Sequence, residues 1–151
     1  MYIPSDIRSK VFERAFHLCK YCLLHKSDLY FPLQIEHIIS QKHLKSNELS
    51  NLASACYLCN RNKGSDLSTV LPPNLDVIRL YRPRTDKWID HFEISNEGIF
   101  VPKNKIAEAI IKVLKLNSDS RVNDRVNLIR KEIFPHSNVN KYWNFQAQTI
   151  Q

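Results

Sequence analysis

Apolar residues recur at helical spacing near the start of the chain, at Ile7, Val11, Phe12, Ala15 and Phe16. This predicts a helix from Ser5, as cap, to about His17. The period then shortens. "FPLQIEHII", residues 31 to 39, carries the β-branched content of a strand, and "SQKHLKSNELS", Ser40 to Ser50, is polar and reads as a loop. "NLASAC", 51 to 56, predicts a second short strand, and "CNRNKGSDL" predicts a short helix or its first turn. Past Leu67 the chain changes character. "VLPPNL" reads as a proline-containing connection, and "LYRPRTDKWIDHFEISNEGIFVP" as extended segments around a turn at Asn96 to Gly98. Helical periodicity returns over Lys105 to Leu116 and over Arg121 to Phe134, and the last dozen residues read as a docked or frayed tail.

Composition bounds the class. The 151 residues suit one ordinary domain, and 43% hydrophobic content is enough to fill a core. No apolar run approaches the roughly 18 to 20 residues of a membrane span, and the start of the chain lacks the layout of a signal peptide, so the expectation is a soluble cytoplasmic protein with no membrane partner. Twenty-two Lys and Arg against 15 Asp and Glu give a net +7, which favours polyanionic partners. With two glycines in the whole chain there is little flexible linker, and both halves are expected to fold as one unit.

The four cysteines form two Cys-X-X-Cys pairs, Cys19/Cys22 and Cys56/Cys59, with 33 residues between them. Redox pairs or coincidence are alternatives, but the arithmetic is that of zinc. Two tight knuckles supply four thiolates, a closed tetrahedral shell with no vacant position, so the ion is expected to be structural.

Inside the predicted strand Glu36 directly precedes His37, a pair that a regular pleat would send to opposite faces. If the pleat breaks there, both can serve one site; if it holds, one of them is left in the core.

The order Cys-X-X-Cys, Glu36-His37, Asn51, then Cys-X-X-Cys followed at once by Asn60 and by Lys63-Gly64 resembles the HNH nuclease family, over roughly residues 14 to 67. "RPRTDKWIDHF" and "KNKIAEAIIKVLKLN" further resemble the C-terminal portion of bacterial single-domain HNH proteins. The resemblance implies an α+β fold: a zinc-stapled ββα-metal core over 1–68 with an N-terminal helix, and a mostly helical C-terminal extension over 69–151 packed on it. It implies a metal-dependent endonuclease hydrolysing the phosphodiester bonds of DNA, double-stranded in the first instance. His37 would be the general base, since an imidazole can accept a proton at physiological pH. Glu36 and Asn60 would hold a catalytic Mg²⁺ or Mn²⁺, offering the oxygens a hard ion takes, and Asn51 would brace the loop between the strands. Arg61, Lys63, Lys42 and Lys45 would meet phosphate. The chain departs from the family in having Glu36 where many members have Asp, and in lacking the usual proline and glycine after the histidine. Two other readings stand beside this one: a zinc-knuckle module that binds nucleic acid without cutting it, and a nuclease directed at RNA. Asp90-His91 repeats the acid-histidine pair without the asparagines and is read as structural, with substrate contact as the alternative, and Arg121, Arg125, Arg130 and Lys131 as a basic face that either meets phosphate or is merely solvated.

Overall fold

The computed structural model describes residues 2–149, and over them the protein is α+β, with six helices and three two-stranded antiparallel sheets. Helix α1 (Ser5–Arg14) leads into the first knuckle. Strands β1 (Gln34–His37) and β2 (Leu52–Ala55) form the first hairpin, and helix α2 (Tyr57–Lys63) follows directly. Two more hairpins come next: β3 (Ser68–Leu71) with β4 (Asp76–Arg79), and, after the single turn α3 (Trp88–His91), β5 (Phe92–Ile94) with β6 (Phe100–Pro102). Helices α4 (Lys105–Leu114), α5 (Asp119–Arg130) and α6 (Asn138–Thr149) complete it. Among the described residues no helix is long and apolar enough to cross a membrane.

Several local expectations change. Ser5 is the first residue of α1 rather than its cap; Pro4 takes that place with no side-chain hydrogen bond, and the helix stops at Arg14 because Phe16 and His17 adopt positive φ. The segment around Pro72 and Pro73 is the turn of a hairpin, not a mere connection. Its flanking strands have only four residues each, of which β3 alternates between half-buried and exposed positions, and they rest on α4. The tail is a helix that buries Val139, Tyr142 and Gln146. Arg121 and Arg125, expected on an outer basic face, are 5% and 1% exposed. Their place on the inner side of α5 is set by what they bind. Arg125 lies 4.7 Å over the Phe100 ring and donates to the carbonyls of Gly98 and Leu116, which would otherwise be buried unpaired.

One apolar cluster runs through the molecule, from Leu18, Tyr21 and Leu23 near the first knuckle, through Trp88 and Phe92, to Leu114 and Tyr142. Trp88 ties its parts together. Its indole donates to the Tyr21 carbonyl at 3.0 Å, and its backbone N–H donates to Gln146 Oε1 at 2.9 Å. Such a residue satisfies the polar atom of a large aromatic while burying its whole apolar surface.

His25 and His136 stack face to face with centroids 3.8 Å apart, joining the first knuckle to the loop before α6. Burial, and then the facing His136, hold the His25 imidazole below its ordinary range. The unfolded chain therefore takes up a proton before the folded one does. Stability is expected to be flat above the ordinary histidine range and to fall as the pH drops through and below it. Urea midpoints measured against pH check this, and the decline should be smaller in His136→Ala.

Candidate functional site

The four cysteines join the two knuckles, and the rest of the site hangs on them. The first knuckle is a tight turn in which the Cys19 N–H donates to the Leu24 carbonyl, the Leu23 N–H donates back to the Cys19 carbonyl, and Leu23 takes a positive φ. The second knuckle is the start of α2, with Cys56 as its cap and the Cys59 N–H donating to Cys56 Sγ. All four thiols are buried, and their sulfurs lie within 4.8 Å of one another. Cys22 and Cys56 Sγ are 3.8 Å apart, which matches the edge of about 3.8 Å for four sulfurs placed about 2.3 Å from one zinc ion.

Without a cation the buried thiols resist ionising together. Burial pushes the Cys19 and Cys59 thiols up, whereas Cys22 is held down by hydrogen bonds from the other three and by Arg121. So crowded a set becomes fully thiolate only around a metal ion. Arg121 supplies the outer support, donating from Nη2 to Cys59 Sγ at 3.1 Å and from Nη1 to the Leu114 carbonyl at 2.7 Å. A guanidinium on a thiolate offsets the negative charge that four cysteines leave around a dication. The donor set therefore fits a structural Zn²⁺.

The pleat of β1 holds. Glu36 pairs with Ala53 and His37 with Leu52, so the two neighbours face opposite sides of the hairpin. Glu36 is 1% exposed. Tyr21 donates its hydroxyl to Oε2 at 2.6 Å, and Lys63 Nζ lies 2.6 Å from Oε1 while also donating to the Ile38 carbonyl at 2.9 Å. Lys63, expected to meet phosphate, is 2% exposed and belongs to the interior. A carboxylate in this position would be intolerable unpaired, and the one cation α2 can turn inward neutralises it.

Asn60, one turn before the end of α2, donates from Nδ2 to Gln34 Oε1 at 2.7 Å. Gln34 and Glu36 share a strand face, so Asn60 and Glu36 lie on the same side of the hairpin. They do not form a ligand pair for a hard cation in this arrangement, because both Glu36 oxygens are engaged and shielded. An ion could reach Glu36 only after Lys63 lets go of it. Gly64 closes the helix at φ +51, donating its N–H to the Asn60 carbonyl.

His37 stands on the other face, half-buried at the end of β1. Its Nε2 is 2.9 Å from Asn47 Oδ1. Asn47 Nδ2 donates to the Tyr2 carbonyl at 3.1 Å, which fixes the amide so that its oxygen faces the ring. Asn47 thus offers an acceptor to a proton on Nε2, from which Gln41 Nε2 also lies 3.5 Å away, and Nδ1 has no hydrogen-bond partner among the described residues. The loop that carries Asn47 is itself held by Asn51, which accepts from the Ile39 N–H and donates to the carbonyls of Ile39 and Ser46, at 2.9, 2.9 and 3.1 Å. Lys42 and Lys45 are exposed on that loop. Arg61 is exposed on α2, stacked over Tyr57 at 5.9 Å. Asn47 escaped the sequence reading because a polar loop gives no periodic signal; only the presence of an acceptor opposite a strand-end histidine singles it out.

Residues 19–66, from the first knuckle to just beyond α2, match the family model described as HNH endonuclease. That stretch is thus similar to an HNH endonuclease domain and contains the buried four-cysteine cluster, which supports a nuclease-type function in general. No curated protein and no solved structure matches the chain.

Proposed function

We propose that the protein is an endonuclease that hydrolyses phosphodiester bonds of double-stranded DNA in the cytoplasm, with His37 as the general base and Zn²⁺ in the four-cysteine cage as a structural ion. The observation that carries the reading is the anchored imidazole: within the stretch that matches the HNH model, Asn47 Oδ1 sits 2.9 Å from Nε2 of His37 and leaves Nδ1 without a hydrogen-bond partner among the described residues at the end of β1. A water beside Nδ1 would give up its proton to the ring as its oxygen bonds to phosphorus and the bond to the departing strand oxygen breaks. Asn51 keeps the loop, and so Asn47, in place. Lys42, Lys45 and Arg61 are the exposed cations for backbone phosphates, and the net +7 supports approach to a polyanion. The resemblance also implies a Mg²⁺ or Mn²⁺ that would neutralise charge on the phosphoryl oxygens. Glu36, held by Lys63 and Tyr21, does not offer itself to such an ion as it stands.

In a plasmid-nicking assay with zinc-loaded protein, His37→Ala is expected to lower the rate by roughly 10²- to 10⁴-fold, the usual contribution of a general base, with an unchanged circular dichroism spectrum. Full cleavage by this variant would remove His37 from the chemistry. Arms with Mg²⁺, Mn²⁺ and EDTA belong in the same experiment, since strict dependence on a divalent ion would show that the Glu36–Lys63 pair opens. RNA run in parallel decides the polymer.

The burial of Glu36 favours one other reading, a module that binds nucleic acid without cutting it. DNA left intact with every metal, yet retarded in a gel, would select that reading.

A further inference from the structure

Between the loop that follows the first knuckle, the start of α2 and the side of α5 lies an open cavity of about 500 Å³. The chemistry at His37 makes no use of it. Leu24, Leu29 and Leu128 give it an apolar wall, and its rim is aromatic. Tyr30 and Phe31 are 95% and 52% exposed and meet edge to face with centroids 5.0 Å apart, Phe31 tilts against Tyr57 at 5.1 Å, and the Arg61 guanidinium lies 5.9 Å from the centre of the Tyr57 ring. Three rings and a guanidinium in succession make a surface on which nucleobases stack.

The polar lining decides what enters. Arg121 and Arg125 border the cavity too, but their guanidiniums are committed to Cys59 and to the carbonyls of Leu114, Gly98 and Leu116. What remains accepts hydrogen bonds. Asp28 has a buried Oδ2 with no hydrogen-bond partner among the described residues, and its Oδ1 is met by the Ser27 hydroxyl at 3.5 Å. Asp124 adds a second carboxylate to the lining. Such a lining repels phosphate and favours a flat ligand that brings N–H donors, because a buried acceptor left unpaired is costly. Guanine meets both demands. Its rings stack, and its ring N–H and amino group lie side by side to match the two oxygens of a carboxylate, whereas thymine offers one N–H between two carbonyls that a carboxylate opposes.

We infer that this cavity receives an unpaired nucleobase, guanine foremost, and that the favoured substrate is a duplex interrupted by an unpaired nucleotide. A base inside an intact duplex is stacked on both faces and held by its partner; one that is already unpaired costs least to bring out. Phe31 and His37 are six residues apart, at most about 22 Å along the chain, a distance that about six base pairs of one duplex cover. The choice of nucleic acid as ligand rests on the function proposed above, while the preference among bases requires nothing of His37 as a catalyst.

The test is fluorescence anisotropy of the zinc-loaded full chain, without added Mg²⁺ or Mn²⁺, on labelled duplexes of one sequence that are fully paired, carry one extra unpaired guanine, or carry one extra unpaired thymine. The guanine bulge is expected to bind about tenfold tighter than the paired duplex and about fivefold tighter than the thymine bulge. Phe31→Ala and Tyr30→Ala, both at exposed positions that leave the fold intact, should bring the guanine bulge down to the affinity of the paired duplex. Asp28→Asn should still favour bulges but no longer tell guanine from thymine. Equal affinity of the parent for bulged and paired duplexes, a bulge preference that survives both alanine variants, or a guanine preference that survives Asp28→Asn would overturn the inference and leave the nuclease reading standing. Failure to bind any of the duplexes would remove the nucleic-acid reading itself, and this one with it.

Discussion

Stripping the ion from the four cysteines is expected to unfold the whole chain, not only its first half. Structural zinc contributes on the order of 10–16 kcal/mol in small metallodomains, which is of the same size as the roughly 5–15 kcal/mol of net stability a domain of this size possesses. The loss would not stay local. Arg121 fastens α5 to Cys59 and to the end of α4, and the apolar cluster that begins at the knuckles continues through Trp88 to Tyr142. Freed of metal, four buried thiolates are too costly to keep, and Arg121 loses the negative charge that justifies its own burial. A strong chelator should therefore abolish the far-ultraviolet helical signal and the amide protection of α4 to α6 in a single transition. Protection that persisted in α4 to α6 after the first hairpin had exchanged would show two independent units and overturn this expectation.

The second large effect is expected at Glu36. Removing one member of a buried, hydrogen-bonded ion pair costs about 3–5 kcal/mol, because the other is stranded. Glu36→Gln and Lys63→Met should each lower the urea-unfolding free energy by that amount, whereas the double variant should lose distinctly less than their sum. Tyr21 raises the stakes: its hydroxyl is buried on the same carboxylate, and Tyr21→Phe should cost about 1–3 kcal/mol by leaving Oε2 with one partner fewer. Additive losses at Glu36 and Lys63 would mean the pair is not coupled, leaving Glu36 free for other duties.

The cysteine spacing alone placed the metal cage, because thiolates two apart leave the chain few other ways to be useful, and the order of motifs around it led to the HNH match over 19–66. The helical stretches of the C-terminal half were legible too, as α4 has apolar residues at the spacing of one face. What could not be read was direction. Glu36 and His37 are adjacent letters, and only the register of β1 against β2 decides which of them turns inward. Lys63, Arg121 and Arg125 look like surface cations in sequence; each is interior because a specific carboxylate, thiolate or carbonyl waits for it. The hairpin at Pro72 and Pro73 was hidden because four-residue strands give too short a pattern.

The contact between Asn47 and the Tyr2 carbonyl has a practical bearing. The orientation of His37 depends, through Asn47, on the backbone carbonyl of Tyr2, so an affinity tag or fusion partner spliced next to Tyr2 would pull on the same thread that positions the imidazole. Material prepared with such an extension and material cleaved clean of it are, for the chemistry of this protein, two different samples.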